Sequence, residues 1–68
     1  MANKSDSKSE IVVMRGMVYD ISAEWTEWRV FVNGQGIDHF GEDRAAAIRY
    51  ARKMERDGKG KIAFIAAA

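Results

Sequence analysis

The chain contains no cysteine, no proline and a single histidine. Without cysteine there is no disulfide, no zinc–thiolate centre and no thiol nucleophile. One imidazole is too few for an all-protein transition-metal site, so no metal and no cofactor is expected. No apolar run approaches the roughly 20 residues of a membrane span, and no signal-peptide pattern appears. A soluble cytoplasmic protein with no membrane partner is the default reading. Charge of one sign is also lacking, because 11 Lys and Arg stand against 10 Asp and Glu for a net charge of +1. Any basic character is therefore local. Sixty-eight residues permit one small domain, and its hydrophobic gain barely exceeds its conformational entropy. With disulfides and metal excluded, a second copy is the remaining source of stability, and a homodimer is expected.

What is present centres on the stretch from Trp28 to Asp57. Trp28, Val30 and Val32 alternate with Arg29, Phe31 and Asn33, the period of a strand with one face on a core. Asn33-Gly34 supplies the positive backbone dihedrals of a type I′ turn. A two-residue loop there sets Val32 opposite Gln35, Phe31 opposite Gly36, Val30 opposite Ile37, Arg29 opposite Asp38 and Trp28 opposite His39. A helix is expected from Gly41, with Glu42 and Asp43 in its first turn and Gly58 as its stop. Phe40 and Ala45 would form a weak hydrophobic staple. At helical spacing Ala46, Ala47, Ile48, Tyr50, Ala51 and Met54 share a broad apolar side. Arg49, Arg52, Lys53 and Arg56 cluster on the other.

Around that unit, residues 1–9 are small, polar and of mixed charge, and read as a disordered arm. Residues 10–68 form the domain. Glu10 to Ile21 is the first strand, and it is apolar on both parities: Ile11, Val13, Met17, Tyr19 and Ile21 on one, Val12, Met14 and Val18 on the other. Gly16 marks a candidate bulge. One helix covers one sheet face only, so the second apolar face needs a partner. The set Ile11, Val13, Met17, Tyr19 and Ile21, joined by Phe31, is the candidate dimer or interaction surface. Trp25, on the connector from Ser22 to Glu27, is a candidate contact hot spot, weighed against packing over the end of the core. After the helix, Lys59-Gly60-Lys61 leads into a last strand through Ile62 and Phe64. The expected fold is α+β: a mostly antiparallel sheet, in the order strand, strand, strand, helix, strand, with one amphipathic helix on one face.

Catalysis finds little support. His39 has no cysteine to activate, and its expected role is packing against Trp28. Glu24 and Glu27 have the spacing of neighbouring surface residues rather than of an acid–base pair. Gly34 and Gly36 precede no helix at the place a nucleotide motif requires, and Asp57-Gly58-Lys59-Gly60 is no P-loop. The basic helix face, Arg49, Arg52, Lys53 and Arg56, is the sharpest charge feature. Its ordinary reading is a solvated face, and its functional readings are a phosphate backbone or an acidic protein.

The pattern W-x-V-x-V…NGQG…HF…AA-x-x-x-A-x-x-M resembles small domains of three strands followed by a helix. One such group is the DNA-binding domain of plant ethylene-response factors, with the related arm-binding domains of phage-type integrases. Arg15-Gly16, Trp25, Trp28 and Phe40 fall near positions of comparable type there, and Ala46, Ala47 and Ala51 match its small helix residues. That resemblance implies a sheet entering the major groove, whereas this sheet holds only Arg15 and Arg29 among Asp20, Glu24, Glu27 and Asp38. A second group, short bacterial and phage proteins of unknown function, is similar at Trp28, Phe40, the alanines and the turn into Ile62. Both resemblances rest on packing residues between about positions 15 and 65, and imply fold more than activity. The expected function is a non-enzymatic binding module, a phage- or mobile-element-type regulator or inhibitor that occupies a protein surface. The alternative is a nucleic-acid-binding module using the basic helix face.

Overall fold

Ten consecutive residue pairs, from Ile11 opposite Val32 to Asp20 opposite Ala23, join the first two strands of the computed structural model, β1 (Glu10–Asp20) and β2 (Ala23–Val32). The structure describes residues 8–68. The expected disordered arm therefore lies outside the described residues except at Lys8 and Ser9. Ser9 adjoins the sheet, its carbonyl accepting the Lys61 N–H at 2.8 Å. β3 (Gln35–His39), α1 (Arg44–Arg56) and β4 (Lys61–Ile65) complete the chain. The α+β class holds, in a four-stranded sheet of spatial order β3-β2-β1-β4. The first two pairings are antiparallel, and β4 runs parallel to β1 at the edge. The first strand is thus central within one chain, needing no second copy to flank it there.

Asn33 (φ 52°) and Gly34 (φ 83°) make the two-residue turn, and Val32 faces Gln35 and Phe31 faces Gly36 as expected. Beyond that the expected register fails. Ile37 is an extra residue in β3, so Val30 faces Asp38 and Arg29 faces His39. The Arg29–Asp38 and Trp28–His39 pairs do not form. The Asn33 side chain also fastens the turn to the start of β1, accepting the Glu10 N–H at 3.0 Å.

The helix begins later than its acidic residues suggest. Asp43 is its N-cap, accepting the Ala46 N–H at 2.9 Å, and Glu42 stands outside it. Its far end closes as a Schellman motif: Gly58 (φ 80°) donates to the Glu55 carbonyl and Lys59 to that of Met54. Phe40 packs against Tyr50, with ring centroids 5.2 Å apart, rather than stapling to Ala45.

Core packing follows from the alanines. Ala47 and Ala51 are fully buried, and their small side chains let α1 lie close upon Ile11, Val13, Trp28 and Val30. Here the expected dimer surface is corrected. Ile11 and Val13 pair with Val32 and Val30, so they face the helix and are 0% exposed. Phe31 pairs with Val12 and points to the opposite side.

That opposite side is rolled. Arg29 Nη1 donates to the Met17 carbonyl of β1 at 2.7 Å. The same guanidinium lies so near Gly36 of β3 that a Cβ there would sit 2.4 Å from Nη2. Strands β1 and β3 flank β2, so one guanidinium reaches both only if the sheet curls toward this face. Gly16 is not a bulge, because the β1–β2 register is unbroken through it. It leaves room for Phe31, whose ring would be 2.6 Å from a Cβ at that position.

Candidate functional site

The distal half of the β1–β2 hairpin forms an arm. β4 pairs with β1 only as far as Val13, and β3 pairs with β2 only from Arg29 to Val32. Beyond those limits the ribbon carries Met14 to Asp20 on one strand and Ala23 to Trp28 on the other, with a turn at Ile21 and Ser22. The expected connector from Ser22 to Glu27 is therefore mostly strand. A two-stranded ribbon alone is marginal in water, so its base needs ties, and two polar assemblies supply them.

The first is built on Arg15. Its guanidinium grips Glu42 through both oxygens, at 2.9 and 3.0 Å, and donates to the Thr26 carbonyl at 2.9 Å. It also lies over the Trp28 ring, 5.9 Å from the centroid. Arg44, at the start of α1, covers the same ring at 5.6 Å and donates to the Ala66 carbonyl at 2.8 Å. Two guanidiniums thus lie over the Trp28 ring, which is almost fully buried. The hydrogen bonds from Arg15, with its charge, hold the Glu42 carboxyl below its ordinary range.

The second assembly is built on Glu27, which stands two residues from Trp25 and so shares its face. Glu27 accepts the Trp25 indole N–H at 2.6 Å and the Gly41 N–H at 2.9 Å, and bonds His39 Nδ1 at 2.8 Å. Those three bonds, from Trp25 first, then His39 and Gly41, draw its pKa from 4.5 to about 2. Between those values the unfolded chain takes up a proton that the folded chain refuses, so stability falls as pH drops through the window. Urea midpoints at about pH 5.5 and about pH 3 should differ for the wild type. Glu27→Gln should start lower and show a shallower fall, leaving mainly the share due to Glu42. An unchanged slope in Glu27→Gln would mean the three bonds do not favour the ionised form.

The expected site residues are therefore separated. Ile11 and Val13 belong to the core, and Phe31 packs over Gly16. Met17 is half-buried, while Tyr19 is 71% and Ile21 100% exposed toward the arm's tip. Trp25 keeps 40% of its surface in solvent, although its indole N–H is spent on Glu27. His39 lies on Glu27 rather than on Trp28, because the extra residue at Ile37 turns it to the other face. Arg49, Arg52, Lys53 and Arg56 are all exposed along α1. Lys53 pairs with Asp57 at 3.1 Å; among the described residues Arg49, Arg52 and Arg56 have no ion pair. Sequence reading missed Glu27 as the organising carboxylate. The alternation Trp25-x-Glu27 was its only local signal, since His39 and Gly41 arrive from another strand and its loop.

Among the described residues no group of three His, Cys, Asp or Glu side chains converges as metal ligands would. No helix there is long and apolar enough to cross a membrane. Compared with known proteins, the chain matches no family model, no curated protein and no solved structure.

Proposed function

We propose that this chain is a non-enzymatic binding module that acts by occupying a protein surface, as a phage- or mobile-element-type regulator or inhibitor would. The contact element is the β1–β2 arm. The observation that carries this reading is the exposure of Tyr19, Ile21 and Trp25 on a ribbon whose base is fixed by Arg15 and Glu27. Trp25, fixed before contact by its bond to Glu27, loses little conformational freedom on binding, which is how a small surface gains affinity. The test is capture of proteins from nuclease-treated host lysate on the immobilised chain. Tyr19→Ser combined with Ile21→Ser should lose the captured protein, with affinity reduced roughly 30-fold if Tyr19 is an anchor. Reversing Arg49, Arg52 and Arg56 to Glu should leave that capture intact. An arm variant that retains the same protein at the same affinity overturns the reading.

A second reading rests on the exposed arginines of α1, which suit a phosphate backbone. It requires binding to DNA or RNA at low salt, lost with added salt and with the same three arginine reversals.

A further inference from the structure

The two ends of this molecule carry opposite charge. Along β1 the chain advances from Glu10 to Asp20, about 33 Å at strand spacing, and the described residues reach 44 Å in their longest dimension. The helix runs back the other way. Arg44 at its start donates to the Ala66 carbonyl, while Glu55 near its end accepts the N–H of Ile62, the neighbour of Ile11. Arg49, Arg52 and Arg56 therefore lie toward the Glu10 end of β1, and the arm's tip lies at the other. That tip carries Asp20 and Glu24 beside exposed Tyr19, Ile21 and Trp25. The arm cannot fold back onto its own basic helix, which lies along the body that the arm points away from.

We infer that the occupant of the arm is a second copy of this chain, and that the two copies exchange arms. Side by side and antiparallel about a twofold axis, each copy sets its tip against the outer face of the other's helix. The match is chemical as well as geometric. Guanidinium groups pair with carboxylates and stack on aromatic faces; the helix offers three guanidiniums, and the tip offers Glu24 beside its cross-strand partner Tyr19 on one face of the ribbon, with Asp20 and Trp25 on the other. The contact is isologous, since residues of one tip meet the partner's helix and the reverse holds at once, and it closes at two copies. The basic face and the arm are then covered together, so polyanions and this dimer compete for Arg49, Arg52 and Arg56.

This rests on the arm's being a contact element, and the test separates the two. Sedimentation velocity on the full chain, over a wide concentration range at low and high salt, should show a dimer that salt weakens. Asp20→Lys with Glu24→Lys makes arm and helix both basic; Arg49→Glu with Arg52→Glu and Arg56→Glu makes both acidic. Each variant alone should dissociate with a constant raised roughly a hundredfold. Mixed in equal amounts, they should re-form a dimer, because every tip again meets a helix of opposite charge. Circular dichroism confirms folding, and if a reversal unfolds, Asp20→Asn with Glu24→Gln makes the same comparison with a smaller loss. A wild type that stays monomeric overturns self-association while leaving capture of a different protein to be read by the arm variant. Variants that remain dimeric, or a mixture that does not reassociate, overturn the exchange of arms.

Discussion

Replacing Trp28 with alanine will remove most of the domain's stability, about 3–5 kcal/mol for deleting a buried large aromatic. Small domains hold only about 5–15 kcal/mol in all, and at this length the lower end applies. The loss reaches beyond packing. Among the described residues Trp28 is one of six buried core residues, and it alone among them bears two guanidiniums on its ring. Arg15 and Arg44 would lose that surface together, loosening the arm's base and the start of α1 at once. Its backbone is also tied in, donating to the Gly41 carbonyl and accepting from Phe40 at 2.8 Å each. Urea unfolding at 25 °C should show Trp28→Ala without a full folded baseline, whereas Trp28→Phe, which keeps an aromatic face, should retain a cooperative transition. A cooperative Trp28→Ala transition within 1 kcal/mol of the wild type, an estimate well below the cavity cost, would refute this account of the core.

Gly60→Ala is expected to be the next most damaging change. Gly60 has φ 155°, and a Cβ there would stand 2.8 Å from the Ser9 carbonyl oxygen and 3.0 Å from Ile11 Cγ1. That backbone region costs about 1–3 kcal/mol for any residue with a side chain. The clash adds to it, because the obstructing atom is main chain that also accepts the Lys61 N–H. A total of about 3 kcal/mol or more is expected, as the first pairing of β4 with β1 must shift. Gly58→Ala is the control: φ is 80° and nothing lies within 4 Å, so only the left-handed strain of about 1–2 kcal/mol applies. Equal denaturation midpoints for the two variants would show that the contact with Ser9 does not limit this position.

Much of this fold was legible in the chain, and the misses share one cause. The NG turn, the helix span to within a few residues and the final strand follow from local patterns at Asn33-Gly34, Asp43, Gly58 and Ile62. The long-range register does not. A single extra residue at Ile37 reverses the faces of everything beyond it in β3, sending His39 to Glu27 instead of Trp28. The apolar character of β1 on both parities is visible in the sequence, and by itself it suggests a surface awaiting another chain. Ile11 and Val13 lie beneath α1, and on the other side Phe31 and Arg29 are folded in by the curl of the sheet. That curl depends on Gly16 and Gly36, which sequence alone cannot distinguish from glycines serving a bulge or a turn. Of the candidate sites, the basic helix face was fully legible, since four exposed cations at helical spacing need no tertiary knowledge. The Glu27 assembly was not, because two of its members, His39 and Gly41, come from another strand and its loop.

The separation of Asp20 and Glu24 from Arg49, Arg52 and Arg56 also makes the protein an electric dipole along its long axis, although its net charge is only +1. A nearly neutral body of this kind feels little pull from a distant charged surface but a turning force near one. Its orientation is then selected before contact: tip first toward a positive surface, helix first toward a negative one. At physiological ionic strength the field decays over about 8 Å. Alignment is therefore confined to the last approach, where two such bodies meeting side by side are turned antiparallel.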